Sequence, residues 1–276
     1  MFVCAAYAQS LDLPKSVRQG SALRIHAPAR PEGPAIAARM GDRTIPLFRQ
    51  PEGGSFGLMP IPVDQKPGEY EIALLDEKNA TITTATIQVA DAHFRKQNVV
   101  ISESLAELKP SPGESDASSA FRKIVSGERY WSEPFALPVH GCMTSTFGVQ
   151  RYLNGKPTGD YHAGIDQRSP AGAPIHAVAD GVVKLVGDWN LHGRTIGIDH
   201  GQGLESMYLH MSKFAVAEGA TVKKGDVIGY SGSTGRSTGP HLHWTLYVDG
   251  VPVNPLDWVQ VAPCTAPRPA VKKSVK

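Results

Sequence analysis

The pattern that most limits the fold is a series of short apolar runs, interrupted along the whole chain by glycine, proline, asparagine and aspartate. The 276 residues include 28 Gly and 22 Pro, a content that suits short strands joined by tight turns. Several runs alternate polar and apolar residues, as in Glu69–Leu74 and Thr81–Ile87. Because successive side chains of a strand point to opposite faces, this period of two indicates half-buried strands. The sequence therefore predicts an all-β protein.

The first predicted domain, residues 11–90, contains six of these runs with turn signals such as Gly41-Asp42 and Pro67-Gly68 between them. Strands at this spacing predict a β-sandwich of immunoglobulin-like architecture. No Cys–Trp–Cys pattern is present in this range, so the prediction concerns architecture alone. The predicted strands are Ala22–His26, Ala35–Arg39, Thr44–Phe48, Gly57–Ile61, Tyr70–Leu75 and Thr81–Val89.

Residues 91–134 form a predicted connector with a short helix. The helix is expected from Ser115 to Val125, with Ser115 or Asp116 as its N-cap. The Pro-rich stretch Lys109–Gly113 resembles a hinge. Such a connector could lay the first domain over the second or simply separate the two, and the sequence leaves both arrangements open.

The second predicted domain, residues 135–261, is rich in glycine and carries the motifs on which function depends. We expect residues 262–276, rich in Pro and Lys, to form a disordered basic tail. The predicted strands of this domain are Met143–Phe147, Pro174–Ala179, Gly181–Val186, Arg194–Asp199, Ser206–His210, Asp226–Ser231 and His241–Val248.

The N-terminal residues and the cysteines indicate a periplasmic or secreted protein. Residues 1–8 look like the end of a signal peptide, since an apolar stub precedes the small-x-small pattern Ala6–Ala8; an ordinary apolar N-terminus is the alternative. Cys142 and Cys264 would then be an even pair in an oxidising compartment. A disulfide between them is plausible, and two buried thiols are the alternative.

Charge and hydropathy argue against nucleic-acid binding and against a membrane-spanning segment. The net charge is +2 and the sequence pI is near 8.4, which predicts no nucleic-acid footprint. The chain has no run of eighteen apolar residues, so we expect no transmembrane segment.

The most informative local motif is a pair of histidines two residues apart. His241 and His243 begin a run rich in aromatic and β-branched residues, which predicts a strand. They therefore share one face, while Leu242, Trp244 and Leu246 point into the core. Two imidazoles side by side are hard to explain by packing, and they favour metal binding or acid–base catalysis about as much as a structural role.

Two further motifs complete a candidate zinc site. His162 and Asp166 share a face of an extended segment and offer donors that Zn²⁺ prefers, and His210 ends a strand where a cleft could lie. Catalytic zinc needs three protein ligands and one open position, which His162, Asp166 and His243 would supply for one Zn²⁺ per chain. The open position would hold a water molecule whose pKa the metal lowers to about 7. His210 and His241 would then serve as catalytic residues that accept and donate protons and stabilise an oxyanion.

These residues also carry a family resemblance. The motifs His162-x-x-x-Asp166, Tyr208-Leu209-His210 and His241-x-His243 resemble the lysostaphin-like, or LytM-type, M23 zinc metallopeptidases. The segment from Gly232 to His243 is the most specific part of the match, which covers roughly residues 135–257. The resemblance implies an antiparallel β-sheet peptidase domain with zinc at the floor of an open groove, the same ligands and catalytic histidines, and cleavage of peptidoglycan stem or bridge peptides.

One departure from the family pattern concerns substrate preference. Where many members have a Gly-Tyr-Gly-Asn-like turn, this chain has Asp188–Arg194, a loop that should border the groove. Trp189 could stack on a substrate or simply pack, and His192 could contact substrate or be solvated. A periplasmic location favours the cross-link between D-Ala and diaminopimelate as the bond that is cleaved. Cleavage of glycine bridges is the alternative.

The alternative function is a non-catalytic activator that binds the wall and stimulates another hydrolase. Relatives of that kind have lost zinc ligands, whereas all five site residues are present here. The first domain could bind the wall or a regulatory protein, or it could occlude the groove. We expect it to position the enzyme and to inhibit it in part.

Overall fold

The computed structural model describes residues 11–264, and nearly all the regular structure in this range is β-strand, which confirms the all-β prediction. No helix in these residues is long and apolar enough to cross a membrane. The strands before residue 91 are β1 (Ser16–Arg18), β2 (Ala22–Ala27), β3 (Ala37–Met40), β4 (Arg43–Pro46), β5 (Phe48–Arg49), β6 (Ser55–Pro60), β7 (Gly68–Leu75) and β8 (Thr81–Ala90).

These strands form two sheets around one core. Their orders are β1-β8-β7-β3-β4 and β2-β6-β5, and fully buried side chains such as Ile25, Met59, Ile72 and Ile87 lie between them. The alternation in β8 places Ile87 and Val89 in that core while Gln88 is exposed. The two-layer packing agrees with a sandwich, and the immunoglobulin-like assignment stays a prediction.

The connector contains more structure than expected. Its elements are β9 (Lys96–Val99), α1 (Glu103–Ala106) and α2 (Glu114–Phe121). The predicted helix is shorter at its C-terminal end than expected, and the N-cap prediction was wrong: Gly113, with a φ of 78°, occupies the cap and Ser115 lies inside the helix. The Glu114 carboxylate accepts a hydrogen bond from the Ser111 N–H and closes the turn that leads into the helix.

The second domain is built on one large sheet. Its strands are β10 (Met143–Ser145), β11 (Gln150–Leu153), β12 (Lys156–Tyr161), β13 (Ile165–Arg168), β14 (Pro174–His176), β15 (Gly181–Trp189), β16 (Gly193–Gly201), β17 (Leu204–Met211), β18 (Lys213–Phe214), β19 (Thr221–Val222), β20 (Val227–Tyr230), β21 (His241–Val248) and β22 (Val251–Val253), with a 3₁₀ turn at Pro255–Asp257.

The large sheet has the order β10-β13-β21-β17-β16-β15-β19, with β22 on β21. Two smaller sheets, β14-β20-β18 and β12-β11-β9, flank it. Because β9 belongs to the last of these and pairs in parallel with β11, the connector contributes a strand to the second domain. As predicted, Leu242, Trp244 and Leu246 of β21 are fully buried.

An aromatic cluster joins the two halves. The Phe56 ring of β6 lies 6.0 Å from the Trp131 ring, which lies 5.4 Å from that of Trp258. The Arg129 guanidinium stacks 3.7 Å above Trp131, and all three aromatic side chains are nearly inaccessible to solvent. Burial of this much aromatic surface holds the N-terminal sandwich against the second domain.

The disulfide between Cys142 and Cys264 is present. Beside it, the Cys264 N–H donates to the Met143 carbonyl and the Met143 N–H to that of Ala262. Residues 262–264 are therefore ordered against β10, unlike the disordered tail predicted from 262 onward. The rest of that tail, 265–276, and the signal-peptide remnant, 1–8, lie outside the described residues.

Candidate active site

The three predicted metal ligands converge on one point. β13 pairs antiparallel with β21 so that Asp166 lies directly opposite His243, and His162 precedes β13 by one short turn. The Asp166 Oδ1 atom lies 2.8 Å from His243 Nδ1 and 3.0 Å from His162 Nε2, and the two nitrogens are 3.0 Å apart. Among the described residues, this trio is the one group of His, Cys, Asp or Glu with metal-site spacing.

The second nitrogen of each ligand histidine is held by a hydrogen bond. His162 Nδ1 lies 2.8 Å from the Thr146 carbonyl oxygen, which can only accept, so this nitrogen carries the proton. His243 Nε2 lies 3.1 Å from Thr245 Oγ1. On the other side of each ring, His162 Nε2 and His243 Nδ1 both face Oδ1 of the same carboxylate. When the two rings give up their protons on this side, the three atoms form a set of metal ligands that converge on one point.

The Asp166 carboxylate is held in its charged form. It is 9 % exposed, and Arg151 Nη2 donates to its Oδ2 atom at 2.7 Å. Burial acts to raise its pKa, but the His162 and His243 rings prevail and hold the pKa of Asp166 well below its usual range. Arg151 lies on β11, and sequence reasoning missed it because nothing near it in the chain marks it as a partner of Asp166.

His210 lies at the irregular end of β17. The β16–β17 register shifts between Arg194 and Ile196, and His210 has a φ of 61°, a left-handed conformation that is uncommon for a residue with a side chain. Such a bulge redirects a side chain at a sheet end. The ring Nδ1 lies 2.8 Å from the Thr234 carbonyl, and Nε2 has no hydrogen-bond partner within residues 11–264. Burial, with the nearby His243 and His241 rings, lowers the pKa of His210 to about 3.

His241 has the same arrangement on the neighbouring strand. Its Nδ1 lies 2.8 Å from the Gly239 carbonyl oxygen, and its Nε2 lies 3.9 Å from Asp166 Oδ1. The rings of His210 and His241 are 5.0 Å apart. The structure thus brings all five predicted site residues together: the Asp166 carboxylate, two histidines in contact with it, and two histidines beside them whose Nε2 atoms have no hydrogen-bond partner among the described residues.

A groove of about 910 Å³ opens over these residues. One wall comes from the connector and the β11–β12 hairpin, including Val99, Ile101 and Leu153; the other includes Leu191 and His192. The loop that departs from the family pattern therefore does border the groove, as expected. Trp189 packs beside the buried cluster around Phe121 instead of lining the groove.

The sequence model of peptidase family M23 matches residues 160–255. All five residues described above fall in this range. The chain contains an M23 peptidase domain. The match leaves the N-terminal sandwich and the connector outside the family model.

Curated proteins similar to this M23 domain include two that are named as DD-peptidases. DD-carboxypeptidase/endopeptidase Mpg of Neisseria meningitidis serogroup B is 50 % identical over 95 residues, which are 34 % of this chain and 22 % of Mpg. Peptidoglycan DD-endopeptidase ShyA of Vibrio cholerae is 45 % identical over 93 residues, again 34 % and 22 % of the two chains. The matched M23 segment thus spans about a fifth of the length of these relatives.

One solved structure resembles most of the chain. It is a crystal structure from Pseudomonas aeruginosa described as a peptidase M23, with a TM-score of 0.62 and 27 % sequence identity. The similarity covers 87 % of this chain and 93 % of that one. It therefore extends beyond the M23 domain into the N-terminal half.

Proposed function

We propose that the protein is a secreted zinc endopeptidase that hydrolyses the peptide cross-links of bacterial peptidoglycan. The observation that carries the proposal is the arrangement of His162, Asp166 and His243 around one point, beside two histidines that present unbonded Nε2 atoms to the same groove. A structural cluster of histidines would not require two of them to remain unpaired on the side that faces solvent.

The donor set fits Zn²⁺. Two imidazole nitrogens and one carboxylate oxygen are ligands of catalytic zinc. Their separations of 2.8–3.0 Å are slightly shorter than the ~3.3 Å expected between tetrahedral ligands with bonds of about 2.0–2.1 Å, so a small outward movement would admit the ion. Bound there, Zn²⁺ would polarise the scissile carbonyl and lower the pKa of a water molecule to about 7.

His210 and His241 would act on the substrate. Each is fixed by an Nδ1–H bond to a backbone carbonyl, which sets the ring orientation and leaves Nε2 directed into the groove. In that tautomer one ring can accept the proton of the attacking water. A ring that carries the proton can then stabilise the oxyanion and protonate the leaving amine.

We propose the bond between D-Ala and diaminopimelate as the substrate. Mpg and ShyA are named for DD-peptidase activities, and the disulfide suits an oxidising compartment such as a periplasm. A secreted or periplasmic location follows from the same proposal, since the cross-links lie outside the cytoplasm.

The N-terminal sandwich is proposed to position the enzyme at the wall or at a regulatory protein. The residues that line the groove begin at Gln97, so the contacts do not favour occlusion by the sandwich itself. The activator alternative predicts a damaged metal site, whereas the five side chains lie together in the described part of the chain.

The test joins metal content to bond cleavage. The full chain, a chelated sample and a His243→Ala variant would be incubated with purified peptidoglycan, and the products identified by mass spectrometry. We expect cross-linked muropeptides to disappear only with the intact, zinc-loaded protein. A His140→Ala variant is the matched control, because His140 is exposed and does not line the groove. Zinc binding without cleavage would favour the activator.

A further inference from the structure

A carboxylate from the connector is buried in the wall of the groove. Glu114, at the start of α2, is 0 % exposed. Its oxygens accept hydrogen bonds from the backbone N–H groups of Ser111 at 2.7 Å, Leu191 at 3.1 Å and His192 at 2.8 Å, and the His192 ring Nδ1 is also bound. Four donors surround this one carboxylate, so both of its oxygens are hydrogen-bonded. The contact is long-range, since 77 residues separate Glu114 from Leu191 in sequence.

Most of these donors belong to one segment, Asn190–His192, which we call the rim loop. Leu191 and His192 line the groove. The loop is held to the connector at a second place, where the Asn190 N–H donates to Ser111 Oγ at 2.8 Å. The Pro-rich stretch that resembles a hinge in sequence therefore binds the peptidase half through the Ser111 hydroxyl and the Lys109 carbonyl.

The rim loop in turn holds the segments of both catalytic histidines. The His192 carbonyl accepts the His210 N–H at 3.0 Å, at the point where His210 takes its left-handed conformation. The Leu191 carbonyl accepts the Arg236 N–H at 3.0 Å, and Arg236 belongs to the turn that leads into His241. A continuous path of hydrogen bonds thus runs from Glu114 through two backbone groups to the catalytic side of the groove.

The helix that carries Glu114 is itself firmly packed. Phe121, at its C-terminal end, is 2 % exposed and lies in a cluster with Leu185, Met207 and Leu209 on the large sheet. Its ring fills the space where a side chain on Gly197 would otherwise stand. The position of Glu114 is therefore determined by the core of the peptidase half.

The chemistry of the contact requires a charged acceptor. Burial opposes ionisation, but the N–H groups of His192 and Ser111 prevail and lower the pKa of Glu114. An amide at this place would direct its NH₂ group at the same N–H donors. At least one donor would then be buried without a partner, which costs about 1–3 kcal/mol.

We propose that Glu114 is a positioning residue of the active site, which fixes the rim loop and through it the orientation of His210 and of the turn before His241. The inference rests on the proposed function, because it assigns these two histidines to catalysis. It makes the connector a part of the peptidase, so that an active fragment must begin before Glu114 and not at residue 135.

The test compares Glu114→Gln with Glu107→Gln, an exposed glutamate of the same connector, in the full zinc-loaded chain. Turnover of a soluble cross-linked muropeptide dimer, bound zinc, thermal unfolding and the ¹⁵N signals of the His210 ring would be measured. We expect Glu114→Gln to lower kcat about 10- to 100-fold, to shift the His210 signals and to leave the zinc content unchanged, while Glu107→Gln behaves as the wild type.

Each outcome decides the proposal. A kcat for Glu114→Gln within twofold of the wild type, with unshifted His210 signals, would overturn it, even if the melting temperature fell. If Glu114→Gln does not fold, Glu114→Asp, which keeps the charge but shortens the reach, is expected to give the same loss. If the wild type has no activity, the proposed function fails, and the His210 signals alone then decide whether Glu114 positions that ring.

Discussion

Replacement of Thr245 by valine tests whether the hydrogen bond behind His243 tunes the metal site. Thr245 is 1 % exposed, and its hydroxyl lies 3.1 Å from His243 Nε2. Valine has nearly the same shape, so the change removes the acceptor without creating a cavity. The Nε2–H group then loses its hydrogen-bond partner among the described residues, and with it the contact that fixes the ring on the side away from Asp166.

The expected magnitude follows from that single bond. A buried donor left without a partner costs about 1–3 kcal/mol, and each 1.4 kcal/mol is about tenfold in a binding constant. We therefore expect zinc affinity to fall about 10- to 100-fold, the range typical for loss of such a supporting partner.

Competition with a chromogenic chelator would measure the zinc dissociation constant. Thr245→Ser, which keeps the hydroxyl, is the matched control and should bind zinc nearly as the wild type does. Zinc affinity of Thr245→Val within twofold of the wild type would refute the reasoning, because the Thr245 hydroxyl would then have no part in orienting His243.

Three further changes probe the site and the fold. His210→Gln should lower kcat about 10²- to 10⁴-fold with unchanged zinc content by metal analysis; a fully active variant would remove His210 from catalysis. Burial, followed by the Asp199 and Asp249 charges, raises the pKa of Glu205 from 4.5 to about 10. Its contribution to the free energy of unfolding is therefore present below pH 4.5 and lost as the pH rises toward 10. Glu205→Gln should accordingly stabilise the protein by roughly 3 kcal/mol at pH 7. Urea titrations across that pH window would measure the free energy of unfolding, and the same pH dependence in the variant and the wild type would contradict the prediction. Cys142→Ala combined with Cys264→Ala opens a link across 122 residues and should cost about 2–5 kcal/mol of stability with zinc retained; equal urea midpoints for both proteins would count against it.

Local pattern was sufficient where a residue's role depends on its own strand. The alternation from His241 to Leu246 placed two imidazoles on one face and the core residues on the other, because a strand's periodicity is a local property. The six runs before residue 91 each overlap an observed strand for the same reason.

Pattern failed where the role depends on a partner distant in sequence. β12 (Lys156–Tyr161) is polar and largely exposed, so no periodicity marks it. Arg151 and Glu114 gain their roles from Asp166 and the rim loop, groups that only the folded chain brings near. In the connector, the proline content indicates a hinge. Its hydrogen bonds to Asn190 and its buried Phe121 instead make it part of the second domain.

Anomalous diffraction at the zinc edge, from crystals of the full chain grown with zinc, would test the central claim most directly. The account expects one strong peak within about 2.0–2.2 Å of His162 Nε2, Asp166 Oδ1 and His243 Nδ1, with the Nε2 atoms of His210 and His241 facing it but not bound. A zinc ion bound by His210 or His241, or no peak between the three proposed ligands, would contradict the account.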